Sequence, residues 1–215
     1  MSKRLVLGFL LISLLTLGYG GLCSRPSEST IAGSSAPLPS AVSGLVVTVA
    51  SATQINLTWE DNSNSEDGVK IERKTGIAGN YAQIATTVAD ITSYQDTGVA
   101  DGDTYYYRVR AFNDNGNSMY SNEASATIPL SAPLALNTTT VGVTQITVSW
   151  TDNSLSEDGY KIERDPGSGY SALATVGANI NTYSDTGLAE GMVYSYRVKA
   201  YKSAEETAYT NVISA

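Results

Sequence analysis

Trp59-Glu-Asp-Asn-Ser-Asn-Ser-Glu-Asp-Gly-Val-Lys-Ile-Glu-Arg73 returns 91 residues later as Trp150-Thr-Asp-Asn-Ser-Leu-Ser-Glu-Asp-Gly-Tyr-Lys-Ile-Glu-Arg164, with 12 of 15 positions identical. A repeat of this length decides the architecture before any local reading does. Working outward, Ser93-Tyr-Gln-Asp-Thr-Gly98 returns as Thr182-Tyr-Ser-Asp-Thr-Gly187, and Tyr105-Tyr-Tyr-Arg-Val-Arg-Ala111 as Tyr194-Ser-Tyr-Arg-Val-Lys-Ala200. The offset is 89 at these later blocks, so the second copy is two residues shorter between Lys74 and Tyr81. A shortened loop is the mildest difference two copies can show.

Within each copy the apolar period is 2, as a half-buried strand requires. Ile55, Leu57 and Trp59 alternate with Asn56 and Thr58, and Val69 and Ile71 with Lys70 and Glu72. Tyr105, Tyr107, Val109 and Ala111 alternate with Tyr106, Arg108 and Arg110. Turn-forming clusters separate these runs at 61–68, 76–80, 97–103 and 113–117, the spacing of an antiparallel sandwich. The predicted fold class is therefore all-β, two tandem antiparallel sandwiches.

Composition excludes several function classes. Among the 215 residues there is no histidine, which removes the commonest general base and metal ligand near neutral pH. A single cysteine, Cys23, permits neither an intrachain disulfide nor a cysteine metal cluster. The formal charge of −8 repels phosphate backbones, so nucleic acid is not an expected partner.

Residues 1–22 have the layout of a signal peptide: Lys3 and Arg4, an apolar run from Leu5 to Leu17, and a small-residue end at Gly18, Gly20 and Gly21. The apolar run falls short of the ~20 residues that a membrane span needs. Residues 23–42 read as a Ser/Pro-rich flexible tether, followed by the two sandwiches at 43–129 and 132–215. Export to the outside of the cell or its envelope is the expectation. Cys23 stands where bacterial lipoproteins carry their acylated cysteine, but Leu22 precedes it where those proteins have Gly, Ala or Ser. Three outcomes stay open: lipid attachment at Cys23, ordinary cleavage near Gly20 or Gly21, or an uncleaved anchor. Contact with a membrane is expected only through the leader or that lipid.

The Trp59 and Trp150 strands, the Val99-x-x-Gly-x-x-Tyr105 and Leu188-x-x-Gly-x-x-Tyr194 corners, and the closing Tyr120-Ser-Asn122 and Tyr209-Thr-Asn211 strands resemble the fibronectin type III domain. The Asp-Asn-Ser-x-Ser-Glu-Asp-Gly loop is similar to the version in bacterial secreted proteins. Asp101 and Glu190 stand where that family often has Pro, and no Arg-Gly-Asp tripeptide occurs at 113–117 or 202–206. The resemblance implies that each of the two tandem antiparallel sandwiches is seven-stranded and immunoglobulin-like, and that the chain is a non-catalytic binding, adhesion or spacer protein that engages protein or matrix partners at the cell surface. The alternative is an accessory spacer or weak glycan-binding module of extracellular polysaccharide processing. Neither a catalytic site nor a cofactor is expected.

Four features carry chemistry or its plainer counterpart. Tyr105 and Tyr194 are expected to bury their rings and send each hydroxyl to backbone near Val99 or Leu188, since a buried phenol without a partner costs about 1–3 kcal/mol. Asp61, Ser63, Ser65 and Glu72 fall at positions 1, 3, 5 and 12 of a calcium-loop count, but position 6 is Glu66 rather than Gly. Asx turns, with Gly68 or Gly159 admitting the next strand, are the favoured reading, and no metal is expected there. Asn56-Leu-Thr58 and Asn137-Thr-Thr139 match the glycosylation acceptor pattern that any Asn- and Thr-rich chain meets by chance. The candidate partner-binding residues are the outward set Tyr106, Arg108, Arg110 and Phe112 in the first copy and Arg197, Lys199 and Tyr201 in the second. Cross-strand pairing, such as Glu72 with Arg108, is the competing reading.

Overall fold

The computed structural model describes residues 37–215; the leader, Cys23 and the tether up to residue 36 lie outside them. In the first copy the strands are β1 (Ser43–Ser51), β2 (Gln54–Glu60), β3 (Gly68–Thr75), β4 (Ala82–Thr86), β5 (Ser93–Asp96), β6 (Asp103–Asn113), β7 (Gly116–Asn117) and β8 (Ala124–Ile128). The second copy has β9 (Leu134–Val141), β10 (Gln145–Thr151), β11 (Gly159–Asp165), β12 (Ser171–Gly177), β13 (Thr182–Thr186), β14 (Ser195–Lys202), β15 (Glu205–Glu206) and β16 (Ile213–Ser214). Each copy stacks a three-stranded sheet, β1-β2-β5 or β9-β10-β13, on a larger one, β4-β3-β6 or β12-β11-β14, in which β6 or β14 also pairs two short closing strands. All pairings are antiparallel.

The alternating apolar sets fill the space between the sheets. Ile55, Leu57, Trp59, Val69, Ile71, Tyr107, Val109 and Ala111 are buried in one core, and Ile146, Val148, Trp150, Tyr160, Ile162, Tyr196, Val198 and Ala200 in the other. The corner tyrosines behave as expected: the Ala100 N–H donates to the Tyr105 hydroxyl at 2.9 Å and the Ala189 N–H to Tyr194 at 3.1 Å. Gly68 and Gly159 admit the neighbouring chain, since a Cβ there would sit 1.9 Å from the Thr87 carbonyl oxygen and 2.0 Å from that of Val176.

A charged tie crosses each core. Asp96, only 3% exposed, accepts from Arg73 Nη1 at 2.7 and 3.0 Å, from the Tyr107 hydroxyl at 2.9 Å and from the Gly98 N–H at 2.9 Å. Asp185 repeats this with Arg164 at 2.9 and 3.1 Å and Tyr196 at 2.9 Å. Because Asp96 and Asp185 lie on the small sheet and their arginine and tyrosine partners on the large one, each tie fixes the two sheets together.

One expectation is corrected. The seventh strand is not continuous: Tyr120-Ser-Asn122 and Tyr209-Thr-Asn211 lie between β7 and β8 and between β15 and β16, outside the ladders. Here side chains replace backbone acceptors. The N–H groups of Ala111 and Val109 donate to Ser118 and Ser121 Oγ at 3.0 and 3.1 Å, and Ser118 and Ser121 return their own N–H groups to the same residues' carbonyls. Thr207 and Thr210 do the same for Ala200 and Val198. Asn122 then clamps both backbone groups of Leu45 at 2.9–3.0 Å, and Asn211 those of Leu136.

The Pro-to-Asp departure at 101 also acquires a role. Asp101 is fully buried, accepting from the Ser131 N–H at 2.7 Å, the Leu155 N–H at 2.9 Å and the Ser154 hydroxyl at 2.9 Å. Burial alone raises its pKa, but the Leu155 and Ser131 N–H groups outweigh that and hold the carboxyl below its ordinary value. With Lys202 paired to Asp103 at 3.0 Å, Asp101 joins the first copy to the linker and to the second copy. Glu190, at the corresponding place in the second copy, is exposed.

Candidate functional site

The outward side of the large sheet is set by the register of β3 on β6: Gly68 opposite Phe112, Lys70 opposite Arg110, Glu72 opposite Arg108, Lys74 opposite Tyr106. Alternation therefore places Lys70, Glu72, Tyr106, Arg108, Arg110 and Phe112 on one face, as the sequence expects. The surprise is Glu72, which is buried although it points outward. Its Oε2 receives Arg108 Nε at 2.9 Å and Nη2 at 2.7 Å, while Oε1 receives Arg110 Nη2 at 3.0 Å and the Tyr120 hydroxyl at 2.8 Å. Burial pushes the Glu72 carboxyl up, but the Tyr120 hydroxyl and the two guanidinium groups more than offset it, so its pKa lies below the usual carboxylate value.

Arg108 is covered in turn by aromatic rings. Its guanidinium carbon lies 4.0 Å from the Tyr81 ring centre and 3.8 Å from that of Tyr120, a Tyr–Arg–Tyr stack. Lys74 sits 4.9 Å from the Tyr81 ring and 4.8 Å from that of Tyr106, and Lys70 lies 4.9 Å from Phe112 while donating to Asn117 at 2.8 Å. All four candidates of the first copy are thus half-buried parts of one assembly.

In the second copy the stack recurs. Arg197 donates to Glu163 Oε2 from Nε at 2.8 Å and Nη2 at 2.6 Å, the Tyr209 hydroxyl donates to Oε1 at 2.6 Å, and the Tyr170 and Tyr209 rings flank the guanidinium at 4.0 and 3.8 Å. Around it the copies diverge. Lys199 and Lys161, directly opposite each other, share Glu206 where the first copy has Asn117; the Lys161 and Lys199 ammonium groups lower the Glu206 carboxyl to about 2. Lys161 also lies 5.2 Å from the Tyr201 ring centre. An open groove of 540 Å³ runs beside this face of the second copy, between Leu173, Thr175, Glu163 and Glu206.

The sequence reading named the arginines but missed the tyrosines that cover them. Tyr81 and Tyr170, like Tyr120 and Tyr209, are 89 residues apart, so the repeat offset itself carried that signal. The cross-strand pair Glu72 with Arg108 is present, joined to the candidate face rather than excluding it. The calcium-loop count does not assemble. Glu72 lies under Arg108, the Asp61 carboxylate accepts the Ser63 N–H at 3.0 Å, and Ser63 Oγ accepts the Ser65 N–H at 3.3 Å, which are nested turns. Chemically, Glu72 and Glu163 are ionised and surrounded by donors, which suits them to anchor cations rather than to move protons.

The family profile described as Fibronectin type III domain matches residues 40–127 and 131–215. Among curated proteins, receptor-type tyrosine-protein phosphatase eta of Gallus gallus is 27% identical over 187 residues, covering 86% of this chain and 13% of its own length. Exoglucanase B of Cellulomonas fimi is 28% identical over 176 residues, covering 75% of this chain and 15% of its own. The chain thus spans a small fraction of these relatives. A solved two-domain segment from chicken tenascin aligns with a TM-score of 0.63 at 20% identity, over 81% of this chain and 97% of that one, a likeness of fold.

Proposed function

We propose, from the premise that this chain belongs to the fibronectin type III family, that it is a non-catalytic binding protein of the cell exterior or envelope. Its two large-sheet faces contact a protein or matrix partner. One observation supports this above the rest: the same Tyr–Arg–Tyr stack over a paired glutamate, buried in the first copy and half-buried in the second, stands on the same face of both copies, although the flanking residues differ. Aromatic and arginine side chains held rigid before contact lose little freedom on binding, and these residue types dominate interface hot spots. The Asp101 joint limits the bending between the copies, so the two faces reach a partner as a set.

The test is retention of envelope proteins on the immobilised full chain, compared with a Tyr81→Ala, Tyr170→Ala double variant whose fold is checked by circular dichroism. Loss of a retained partner in the folded variant supports the reading; undiminished retention refutes it. A second reading, a spacer or weak glycan-binding module, has the similarity to exoglucanase B in its favour. It calls for aromatic rings open to a sugar, whereas Trp59 and Trp150 are buried and the stack tyrosines cover arginine. Binding to insoluble polysaccharide that survives the double variant separates the two.

A further inference from the structure

At one end of the first copy, oxygens of Asp61, Glu66 and Asp90 all lie within 4.8 Å of one another. Asp61 follows β2, Glu66 sits in the β2–β3 loop and Asp90 in the turn between β4 and β5. Glu66 is 8% exposed, and its Oε2 is buried with no hydrogen-bond partner. No lysine or arginine pairs with any of the three among the described residues. Three carboxylates this close repel, and a buried carboxylate oxygen without a donor adds its desolvation cost.

The second copy serves as an internal control. Its counterparts are Asp152, Glu157 and Asn179, so one charge is gone. The Asn179 N–H donates to Glu157 at 2.9 Å, and Asp152 accepts the hydroxyl of Tyr160, a donor that Val69 cannot supply in the first copy. There, neutral donors compensate the carboxylates. In the first copy the Glu66 and Asp90 N–H groups and the Ser63 hydroxyl likewise offset the burial of Glu66, yet its Oε2 keeps no donor.

We propose that Asp61, Glu66 and Asp90 bind one calcium ion, at a site the second copy lacks. The donors are all oxygen, which selects hard cations. Calcium–oxygen distances of about 2.3–2.6 Å let one ion span donor oxygens up to about 5 Å apart. Asp90 is exposed and Asp61 half-buried, so water completes the coordination shell and the affinity falls in the range of extracellular modules, with Kd of about 10⁻⁴–10⁻³ M. Bound there, the ion ties the β2–β3 loop to the β4–β5 turn.

The experiment titrates chelator-stripped full chain with calcium chloride by calorimetry, beside Asp90→Asn, which installs the residue of the second copy. One site per chain is expected in the native protein and none in the variant. Calcium is expected to raise the melting temperature of the first copy by several degrees in the native chain alone. Without calcium, Asp90→Asn melts no lower than native, because it removes repulsion; its failure to bind is then not a failure to fold. Absence of heat and of any melting shift up to about 10 mM calcium, tenfold above the weak end of that range, overturns the proposal. So does a second site per chain, or binding that persists in Asp90→Asn.

Discussion

Replacing Asp96 by alanine removes the acceptor for four hydrogen bonds inside the first core. Two groups are then stranded. The Tyr107 hydroxyl is fully buried and, without a partner, costs about 1–3 kcal/mol. The Arg73 side chain is 21% exposed and keeps its bond to the Gly98 carbonyl at 2.8 Å, so part of its charge is rehydrated. Breaking a buried ion pair from one side costs about 3–5 kcal/mol, and the partial exposure of Arg73 puts the expected loss near the lower end, about 3 kcal/mol. Asp185→Ala in the second copy is expected to cost less, because Arg164 is 30% exposed. The assay is urea denaturation followed by tryptophan fluorescence, with Trp59 and Trp150 each reporting one core and Trp→Phe backgrounds separating the two signals. Losses below about 1 kcal/mol for Asp96→Ala, or a larger loss for Asp185→Ala, would show that the tie is not what holds the sheets together.

Three further outcomes are expected. Because the folded pKa of Glu72 is depressed, its contribution to stability is complete above its unfolded value of 4.5 and is lost as pH falls through the lower folded value. Glu72→Gln therefore lowers stability at neutral pH and flattens the acid limb below about pH 4.5, as urea midpoints from pH 2 to 7 measure. Asp101→Ala frees Ser131, Ser154 and Leu155, so ¹⁵N relaxation of the full chain shifts from one shared correlation time toward two; Glu190→Ala leaves it unchanged. Gly68→Ala drives a methyl into the Thr87 carbonyl and lowers the melting temperature of the first copy, with a stability loss of at least about 1–3 kcal/mol.

The repeat and the period-2 runs carried the two sandwiches, their cores and the corner tyrosines, because each of those follows from one strand's own alternation. What stayed hidden depends on strands meeting. Glu72 alternates to the outside, and only the register that sets it against Arg108, under Tyr120, buries it. The split seventh strand was hidden because Ser118, Ser121, Thr207 and Thr210 read as ordinary strand residues until their hydroxyls are seen replacing backbone acceptors. Asp101 looked like a lost proline; its partners come from the linker and from a loop more than fifty residues away. Asp61 was legible as an acidic loop residue, but Asp90 reaches it only through the β4–β5 turn.

A photoreactive amino acid placed at Tyr106 and Tyr201, on the stacked faces, and separately at Gln95 and Ser184, exposed on the opposite sheets, tests the binding proposal most directly. Crosslinking in the native envelope is expected to give one discrete adduct from Tyr106 or Tyr201 and none from Gln95 or Ser184. Adducts from the Gln95 and Ser184 positions alone, or none from any of the four, would contradict a function carried by the Tyr–Arg–Tyr faces.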